Sequence, residues 1–381
     1  MNTVETIFMG GGDWQYTLYG YMRGALTPSS GVRLALTPLR LGSLLYRGMA
    51  STSSTWELRK RRRLPCPVVS IGNLTVGGTG KTPLTIWLAR WLRQQGWRVA
   101  VLSRGYGGSR RDEPCVVSTG EGPLHTWSEV GDEPYLLAQE LPGIPILVGK
   151  DRFASGQHAR QHFGAQVVIL DDGFQHYRLA RDLDIVLIDA TNPFGQGALL
   201  PRGILREPLR ALQRADAVVL TRVELAQDAI GDVTEQIRGW APHLPIYHLR
   251  TTVQAVWEED MHVCRDAASL CSRRVVAFAG IGNPEAFAAT LTQLGYDVAA
   301  LVVFPDHHPY TERDGHAIID VLRRYEADCL VTTTKDRVRL PPSWQASAPL
   351  FTIRIEVAFS EDGHPFQQQL QALMTYANDR E

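Results

Sequence analysis

The chain has 381 residues and a mass of 42.4 kDa, more than one hydrophobic core usually organises, so two domains are expected. Its 39 Lys and Arg residues balance 40 Asp and Glu residues to a net charge of −1, which argues against a protein whose whole surface is built for nucleic acid. A hydrophobic fraction of 44% with 34 Gly and 22 Pro fits a turn-rich α/β protein, and no segment reaches the ~18 uninterrupted apolar residues that a membrane span requires.

The N-terminus and the cysteines bear on the cellular compartment. The start of the chain lacks positive charge and Gly10–Gly12 interrupts its apolar character, so no secretory signal is predicted. We expect residues 1–36 to form an ill-defined leader. The five cysteines are odd in number and form no CxxC pair, which predicts reduced thiols in the cytosol.

Residues 37–63 predict an amphipathic, basic helix. Thr37 offers an N-cap, Pro38 stands at the first helical position, and Arg59–Arg63 is a basic run. Four leucines dominate the segment: Leu39, Leu41, Leu44 and Leu45. Such a helix could rest on an anionic membrane surface, because hydrophobic insertion and attraction to lipid headgroups reinforce each other. It could equally pack on its own domain with a solvated basic turn, and the residues alone leave both interpretations open.

The following residues predict a parallel sheet in a domain over residues 64–225. Pro67–Leu74 is a β-branched run typical of a buried strand, and it leads through residues 75–83 into a predicted helix at Leu84–Gln95. Further apolar runs are separated by helix-length polar segments: Val99–Leu102, Ile144–Val148, Val167–Leu170, Ile185–Ile188 and Ala217–Leu220. Buried strands that alternate with helices predict a mostly parallel sheet covered on both faces.

A second α/β pattern predicts a smaller domain over residues 226–381. Strands are expected at Arg274–Ala279, Ala299–Phe304 and Cys329–Thr332, and a helix at Pro284–Leu294. A mixed, Pro-containing stretch after Arg222 separates the two patterns. The boundary is therefore expected near residue 225.

A glycine-rich loop follows the first strand, with the sequence Gly77-Gly78-Thr79-Gly80-Lys81-Thr82. Glycines let successive backbone N–H groups turn inward and hold phosphate oxygens at a helix N-terminus. Lys81 would reach the β- and γ-phosphates, and the Thr82 hydroxyl would bind Mg²⁺. The strict pattern has glycine where Thr75 stands, so a merely glycine-rich turn is the alternative. The strand–loop–helix context favours nucleotide binding.

The apolar run Val167–Leu170 ends in two carboxylates, Asp171 and Asp172. Adjacent side chains at a strand end diverge, so one carboxylate can face a metal while the other orients a loop or a coordinating water. The alternative is a helix cap or a surface turn. Because a phosphate loop is also present, we favour the metal role.

Two polar clusters exceed what a plain nucleotide switch needs. Asp132 and Glu133 stand beside a proline, and His307 and His308 follow Asp306 in the second domain. Phosphoryl transfer to an alcohol benefits from a carboxylate that accepts the hydroxyl proton, and a histidine can tune or share that proton. The histidine pair could instead bind a metal, but the Cys/His framework of a structural zinc site is absent. Sequence distance does not establish contact, but an acid from one domain and a histidine from the other could meet across a cleft.

Together these motifs resemble the tetraacyldisaccharide 4'-kinase family of lipid A biosynthesis. The loop of that family resembles TVGGTGKTP, so Thr75 is no departure from it. The resemblance runs from Thr37 to Leu340 and includes further segments in the expected order: Ser103–Gly107, Gly131–Pro134, Val148–Arg152, Leu170–His176, Leu200–Gly203 and Asp306–His308.

The resemblance implies an α/β protein with a P-loop NTPase-type three-layer α/β/α domain, a second, smaller α/β domain and an N-terminal interfacial helix. It implies transfer of the γ-phosphate of ATP, with Mg²⁺, to the 4'-hydroxyl of a tetraacylated glucosamine disaccharide 1-phosphate, which forms lipid IVA. The enzyme is then expected at the cytoplasmic face of the bacterial inner membrane, on the lipid surface, without a nucleic acid or protein partner. Under this resemblance, residues 37–63 bind the membrane.

The resemblance also implies roles for individual residues. Asp132 matches the proposed base, paired with His307, and Lys81 matches the phosphate-binding lysine. The nucleotide loop comprises Thr75, Val76, Gly77, Gly78, Thr79, Gly80, Lys81, Thr82 and Pro83. The groups around the metal are Thr82, Glu133, Asp171 and Asp172. Positions that line the nucleotide or substrate cleft are Arg104, Tyr106, Lys150, Arg152, Gln175 and His176.

Two other classes of protein compete with a kinase. A GTPase-like switch or metal-insertion chaperone would need a guanine-specifying element, which Thr334–Asp336 matches only loosely, and it would leave Asp132 and His307 unused. A membrane-surface binding protein with a vestigial nucleotide site is disfavoured by the intact Lys81 and Asp171 motifs.

Overall fold

A computed structural model describes residues 4–10, 13–24, 26–27, 36–110, 113–258, 263–341, 344 and 348–378. The chain divides into two compact units, each made of two segments. Unit 1 comprises Met1–Leu18 and Thr251–Glu356, and unit 2 comprises Tyr19–Arg250 and Val357–Glu381. The chain therefore enters each unit twice.

Strands and helices alternate along most of the chain. The strands are β1 (Glu5–Phe8), β2 (Val68–Asn73), β3 (Val99–Ser103), β4 (Cys115–Ser118), β5 (Ile146–Val148), β6 (Val167–Asp171), β7 (Leu183–Asp189), β8 (Ala217–Thr221), β9 (Ile246–Glu258), β10 (Val263–Asp266), β11 (Arg274–Ala279), β12 (Asp297–Val303), β13 (Cys329–Thr333) and β14 (Leu350–Phe359). The helices are α1 (Asp13–Arg23), α2 (Pro38–Arg59), α3 (Lys81–Gln94), α4 (Trp127–Val130), α5 (Asp132–Glu140), α6 (Arg152–Phe163), α7 (Ile230–Trp240), α8 (Pro284–Gln293), α9 (Glu312–Arg324), α10 (Thr334–Arg339) and α11 (Gly363–Asn378).

Unit 2 contains a sheet in the order β9-β8-β7-β2-β6-β3-β5-β4. Its strands are parallel except β4, which runs antiparallel to β5. Successive residues of a strand point to opposite faces, so Val69 packs with Leu88 of α3 on one face, while Val68 packs with Ala159 of α6 on the other. Helices on both faces of a parallel sheet give three layers and confirm the predicted fold class.

In unit 1, parallel strands follow one another in the order β1-β12-β11-β13-β14. Phe287 and Leu291 of α8 pack on one face, and Ile318 and Leu322 of α9 pack on the other. A capping box between Thr311 and the third helical residue starts α9. Unit 1 is therefore also layered, as expected for the second α/β pattern.

The boundary expected after residue 225 falls inside unit 2. Strand β9 pairs in parallel with β8, with Val218 opposite Ile246, so the crossover through α7 extends the sheet of unit 2 beyond that boundary. The C-terminal helix α11 also belongs to unit 2. Its residues Phe366 and Leu370 are fully buried among the side chains of that core.

Parts of the expected leader are built into the fold. Residues 5–8 form β1, which pairs in parallel with β12 at the edge of the sheet of unit 1. Residues 1–3, 11–12, 25 and 28–35 of the expected leader lie outside the described residues. The described part thus includes an edge strand and the helix α1.

Helix α2 occupies most of the predicted segment 37–63. Thr37 does not cap it, because its backbone is already helical and its side chain makes no capping hydrogen bond. Ser43 and Tyr46 donate hydrogen bonds to the carbonyls of Leu199 and Arg206. Four other side chains are more than 60% exposed: Leu41, Leu44, Leu45 and Met49. No helix in the described part of the chain is both long and apolar enough to cross a membrane.

Candidate active site

The glycine loop lies between β2 and α3 in unit 2. Gly77 and Gly80 have φ values of 104° and 85°, a region that favours glycine. The helix begins at Lys81, three residues before its predicted start, so Gly80 takes the N-cap position. The first N–H groups of a helix lack intrahelical partners and attract anions. Thr221 at the end of β8 donates a hydrogen bond of 3.0 Å to the carbonyl of Thr79 and braces the loop.

Asp171 and Asp172 diverge at the end of β6. Strand β6 pairs with β2, with Ile71 opposite Asp171, so the carboxylates lie beside the strand that enters the loop. Asp171 is 1% exposed and accepts hydrogen bonds from Thr85 at 3.2 Å and Ser103 at 3.4 Å. Its carboxylate therefore faces the first turns of α3 and the end of β3.

Asp172 takes the opposite direction, with a left-handed backbone at φ 53°. Its carboxylate lies 3.7 Å from the Lys81 ammonium and 2.9 Å from the Arg206 guanidinium. Burial alone would raise the pKa of Asp172, but the charges of Lys81 and Arg206 outweigh it and hold that pKa well below its ordinary value. Asp172 is therefore ionised and orients both cations.

Asp132 begins helix α5 next to the loop that follows β3. Gly131 before it has a φ of 96°, and a Cβ there would lie 2.5 Å from the carbonyl oxygen of Tyr106. Only glycine allows this approach, which packs the segment that contains Arg104 and Tyr106 against the start of α5. Asp132 is 5% exposed and accepts a 2.9 Å hydrogen bond from the backbone N–H of Glu133.

Arg152 at the start of α6 is buried near these groups. Its side chain is 3% exposed and donates to the carbonyl of Gly149 at 2.7 Å. Burial and, to a lesser extent, the charge of Arg104 lower the pKa of Arg152 to about 10, while Asp172 and Asp171 oppose the shift. Arg104 and Arg152 thus contribute positive charge around the aspartate pair, whereas Lys150 is exposed.

Gln175 and His176 follow the aspartate pair. The amide of Gln175 donates to the carbonyl of Asn73 at 2.9 Å, at the end of β2. Burial, together with the charges of Arg152 and Arg181, lowers the pKa of His176 to about 3. His176 is therefore neutral at physiological pH and adds no charge beside the aspartate pair.

His307 belongs to unit 1, in the loop between β12 and α9. Its backbone is left-handed at φ 61°, and its N–H donates to the carbonyl of Gly280 at 3.1 Å. Its neighbour His308 stacks on Phe304 and lies 3.1 Å from the Asp314 carboxylate. Asp132 is in unit 2, so the predicted pairing of Asp132 with His307 stays a prediction.

Sequence reasoning missed a cluster of arginines. A cavity of about 530 Å³ in unit 2 lies beside the Arg206 that pairs with Asp172. Its cationic and acidic lining residues are Arg47, Glu57, Arg206, Glu207, Arg210 and Arg214. The guanidinium of Arg214 lies 3.4 Å from the centre of the Phe174 ring. The only signal in the sequence was the Leu200–Gly203 motif just upstream, because the arginine segment has no helical or strand periodicity.

The residues at the loop fit a magnesium ion that is shared with a nucleotide. Among the residues the structure describes, no group of three or more His, Cys, Asp or Glu side chains is arranged to hold a metal. Mg²⁺ bound with a nucleotide, however, takes only one or two carboxylates, because phosphates and waters supply its other ligands. Thr82 and Asp171, which are 2% and 1% exposed, provide side-chain oxygen atoms. Glu133 stands at the start of α5, and Asp172 is paired with cations.

A strand, a glycine loop and a helix, with an aspartate pair at the end of the neighbouring strand, define a P-loop nucleotide-binding protein. Within that class, the chain belongs to the tetraacyldisaccharide-1-P 4'-kinase family, whose model matches residues 32–375. The family predicted from the motifs is confirmed.

Relatives of known name cover most of the chain. The tetraacyldisaccharide 4'-kinase of Syntrophus aciditrophicus is 44% identical over 84% of this chain and 88% of its own length. That of an Anaeromyxobacter species is 43% identical over 90% of this chain and 93% of its own length. The crystal structure of LpxK from Aquifex aeolicus in complex with ATP has a TM-score of 0.68 and 32% identity, and the match covers 91% of this chain and 99% of that one.

Proposed function

We propose that this chain is an ATP-dependent tetraacyldisaccharide 4'-kinase, which transfers the γ-phosphate of ATP to the 4'-hydroxyl of a tetraacylated glucosamine disaccharide 1-phosphate and forms lipid IVA. The observation that carries this proposal is the phosphate loop whose Lys81 pairs with Asp172, in a chain of the tetraacyldisaccharide-1-P 4'-kinase family. The Aquifex relative, crystallised with ATP, supports ATP as the donor.

Both backbone groups and side chains of the loop bind the nucleotide. The N–H groups of residues 77–82 bind phosphate oxygens, and Lys81 neutralises the β- and γ-phosphates. Thr82 and Asp171 would hold Mg²⁺, with Glu133 and Asp172 nearby, and that ion supplies charge neutralisation to the phosphate oxygens.

The acceptor side depends on Asp132. In this proposal the buried Asp132 carboxylate accepts the proton of the sugar hydroxyl, and His307 shares or tunes that proton. Six further residues bind the nucleotide or the substrate: Arg104, Tyr106, Lys150, Arg152, Gln175 and His176. The positive charge of this set suits a substrate that carries phosphate.

Helix α2 and the arginine-lined cavity suit a lipid acceptor. The exposed leucines of α2 would insert among acyl chains, and Arg59–Arg63 would bind anionic headgroups at the cytoplasmic face of the inner membrane. Because α2 also lines the cavity, a lipid held there would lie between the membrane and the Arg206–Asp172 pair. We therefore propose that the cavity receives the acceptor headgroup.

A GTPase-like switch gains no support from the segment that loosely matched a guanine-reading element. Thr334–Asp336 belongs to unit 1, whereas the phosphate loop belongs to unit 2. Asp336 is fully buried, and its carboxylate accepts hydrogen bonds within unit 1 from Gly280, Tyr310, Thr333 and Arg339. Its carboxylate is thus already engaged.

The test uses purified protein, labelled ATP and the disaccharide lipid. Asp132→Asn keeps the size of the side chain but removes the base, so turnover should fall about 100- to 10,000-fold while ATP binding persists. Glu140→Gln on the same helix is the matched control and should turn over normally, because Glu140 pairs with Arg90 at the far end of α5.

Label on the lipid supports a kinase, whereas phosphate release without labelled lipid supports a switch. Near-normal turnover of the Asp132→Asn variant would remove Asp132 from the base role and leave the rest of the proposal standing.

A further inference from the structure

An ion pair between Asp336 and Arg339 is enclosed in unit 1. Asp336 is 0% exposed and Arg339 is 2% exposed, with 2.6 Å between the carboxylate and the guanidinium. Removing two charges from water is costly, and the cost is offset only when the remaining polar atoms are well bonded. The identity of those bonding partners therefore indicates what the pair is for.

The partners converge on one residue, Gly280, which follows β11. Asp336 accepts a 2.8 Å hydrogen bond from the Gly280 N–H, and Arg339 donates a 2.9 Å hydrogen bond to the Gly280 carbonyl. The Tyr310 hydroxyl donates to the same carboxylate oxygen of Asp336 at 2.7 Å. The Gly280 backbone is thus held on both sides by the ion pair.

The same carbonyl of Gly280 also accepts the N–H of His307 at 3.1 Å. His307 is not glycine, yet its φ is 61°, a conformation that persists only where the surroundings impose it. The approach is close, because a Cβ on Gly280 would lie 2.9 Å from the Pro305 carbonyl oxygen and 3.2 Å from the Tyr310 hydroxyl. The backbone of His307 is therefore tied to Arg339 of the ion pair through the Gly280 carbonyl.

We propose that Asp336, Arg339 and Tyr310 are positioning residues for phosphoryl transfer, which hold the Gly280 backbone and thereby fix His307 in its left-handed conformation. The proposal rests on the role proposed above for His307. In this proposal none of the three residues touches the substrate. Arg339 binds the Gly280 carbonyl, Asp336 binds the Gly280 N–H, and Tyr310 binds the Asp336 carboxylate. A side chain that must meet a reacting group loses rate when its backbone gains alternative conformations.

The decisive variant is Tyr310→Phe, because replacing Asp336 or Arg339 would leave the other residue as an unpaired buried charge and would destabilise the fold. This change removes one hydrogen bond to Asp336 and keeps the ring against Phe278 and Phe304. The matched control is Tyr296→Phe, another buried tyrosine of unit 1, whose hydroxyl donates to the Ala267 carbonyl at 2.6 Å.

We expect Tyr310→Phe to lower kcat about fivefold, the factor for one ordinary hydrogen bond, without raising the KM for ATP. Tyr296→Phe should lower thermal stability by a similar amount and leave kcat unchanged. If both variants lower kcat equally, or if Tyr310→Phe lowers only stability, the positioning role is overturned.

A double-mutant cycle with His307→Ala separates the two proposals. If Tyr310 acts through His307, Tyr310→Phe should have no further effect on kcat in the His307→Ala background. If His307→Ala is slow and Tyr310→Phe still slows it fivefold, the positioning role fails while the role of His307 stands. Full turnover of His307→Ala would instead overturn the proposed role of His307.

Discussion

Cationic side chains near the phosphate loop set the charge states of Asp172 and His176. Lys81 and Arg206 keep Asp172 ionised. Burial, together with Arg152 and Arg181, keeps His176 neutral, with a pKa of about 3. The proposed site thus combines fixed charges with a histidine that does not titrate near neutral pH. This arrangement gives the stability of unit 2 a pH dependence that can be measured.

The free energy of unfolding should fall below neutral pH because of His176. Its pKa is lowered on folding from 6.5 to about 3, so the unfolded chain binds the proton more tightly, and the loss occurs as pH falls through that window. At pH 5 the loss is about 2 kcal/mol relative to pH 7. His176→Gln should abolish that part of the dependence in urea denaturation.

His364→Gln is the control for this measurement, since His364 is an exposed histidine of the same unit. It should retain the wild-type difference between pH 7 and pH 5. Equal losses in the wild type and the His176→Gln variant would show that His176 has no such role.

At the scale of single residues, the sequence predicts the type of site but not the partner of each side chain. The chemistry of Asp171 and Asp172 followed from their position after an apolar run, because a strand end makes adjacent side chains diverge. The partner of Asp172 could not be predicted, since Arg206 lies 34 residues away in a segment without periodicity. A motif specifies a residue type, whereas a partner depends on how distant loops fold back.

Among the elements, the buried parallel strands were the most predictable. Strands β3, β6 and β8 contain the predicted apolar runs and extend each by one residue, because both of their faces are buried and leave a continuous apolar signal. Strand β4 was missed because it is only four residues long. The β9–β10 pair was missed because the start of β9 alternates in exposure and β10 faces solvent.

Helix α2 can be tested as a membrane-binding element. Replacing three exposed leucines with Asn should weaken binding to vesicles of phosphatidylglycerol and phosphatidylethanolamine by about tenfold or more, because each loses apolar area that would enter the bilayer. The three are Leu41, Leu44 and Leu45, each more than 60% exposed. Sedimentation with vesicles measures the effect.

Leu124→Asn is the matched control, since Leu124 is a 56% exposed leucine elsewhere in unit 2. It should leave vesicle binding unchanged. If the triple variant partitions like the wild type, α2 is a packed helix and any membrane attachment lies elsewhere in the chain.

At the scale of the whole molecule, each unit is built from two segments that are distant in the sequence. The chain leaves unit 2 after Arg250 and returns to it at Val357. A sequence pattern can identify an amphipathic helix, but it does not say which sheet the apolar side of the helix covers. Phe366, Leu370 and Met374 are at most 3% exposed, in one core with Leu88 of the helix that follows the phosphate loop.

Because the C-terminal helix α11 packs in unit 2, a substitution in that helix should lower the stability of the nucleotide-binding unit. Phe366→Ala should destabilise unit 2 by about 3–5 kcal/mol, and hydrogen exchange should speed up in β2 and β6. Phe351→Ala, a matched buried phenylalanine in the core of unit 1, should instead speed up exchange in β11 and β13.

ATP distinguishes the two variants, because the proposed ATP site lies in unit 2 and a ligand stabilises only the fold that binds it. At a hundredfold excess over Kd, ATP should restore about 2.7 kcal/mol to the Phe366→Ala variant and slow the exchange of β2 and β6. The exchange of β11 and β13 in the Phe351→Ala variant should not respond. If Phe366→Ala instead loosens β11, or if ATP protects β11 in the Phe351→Ala variant, then α11 does not stabilise the nucleotide-binding unit in the way its burial indicates.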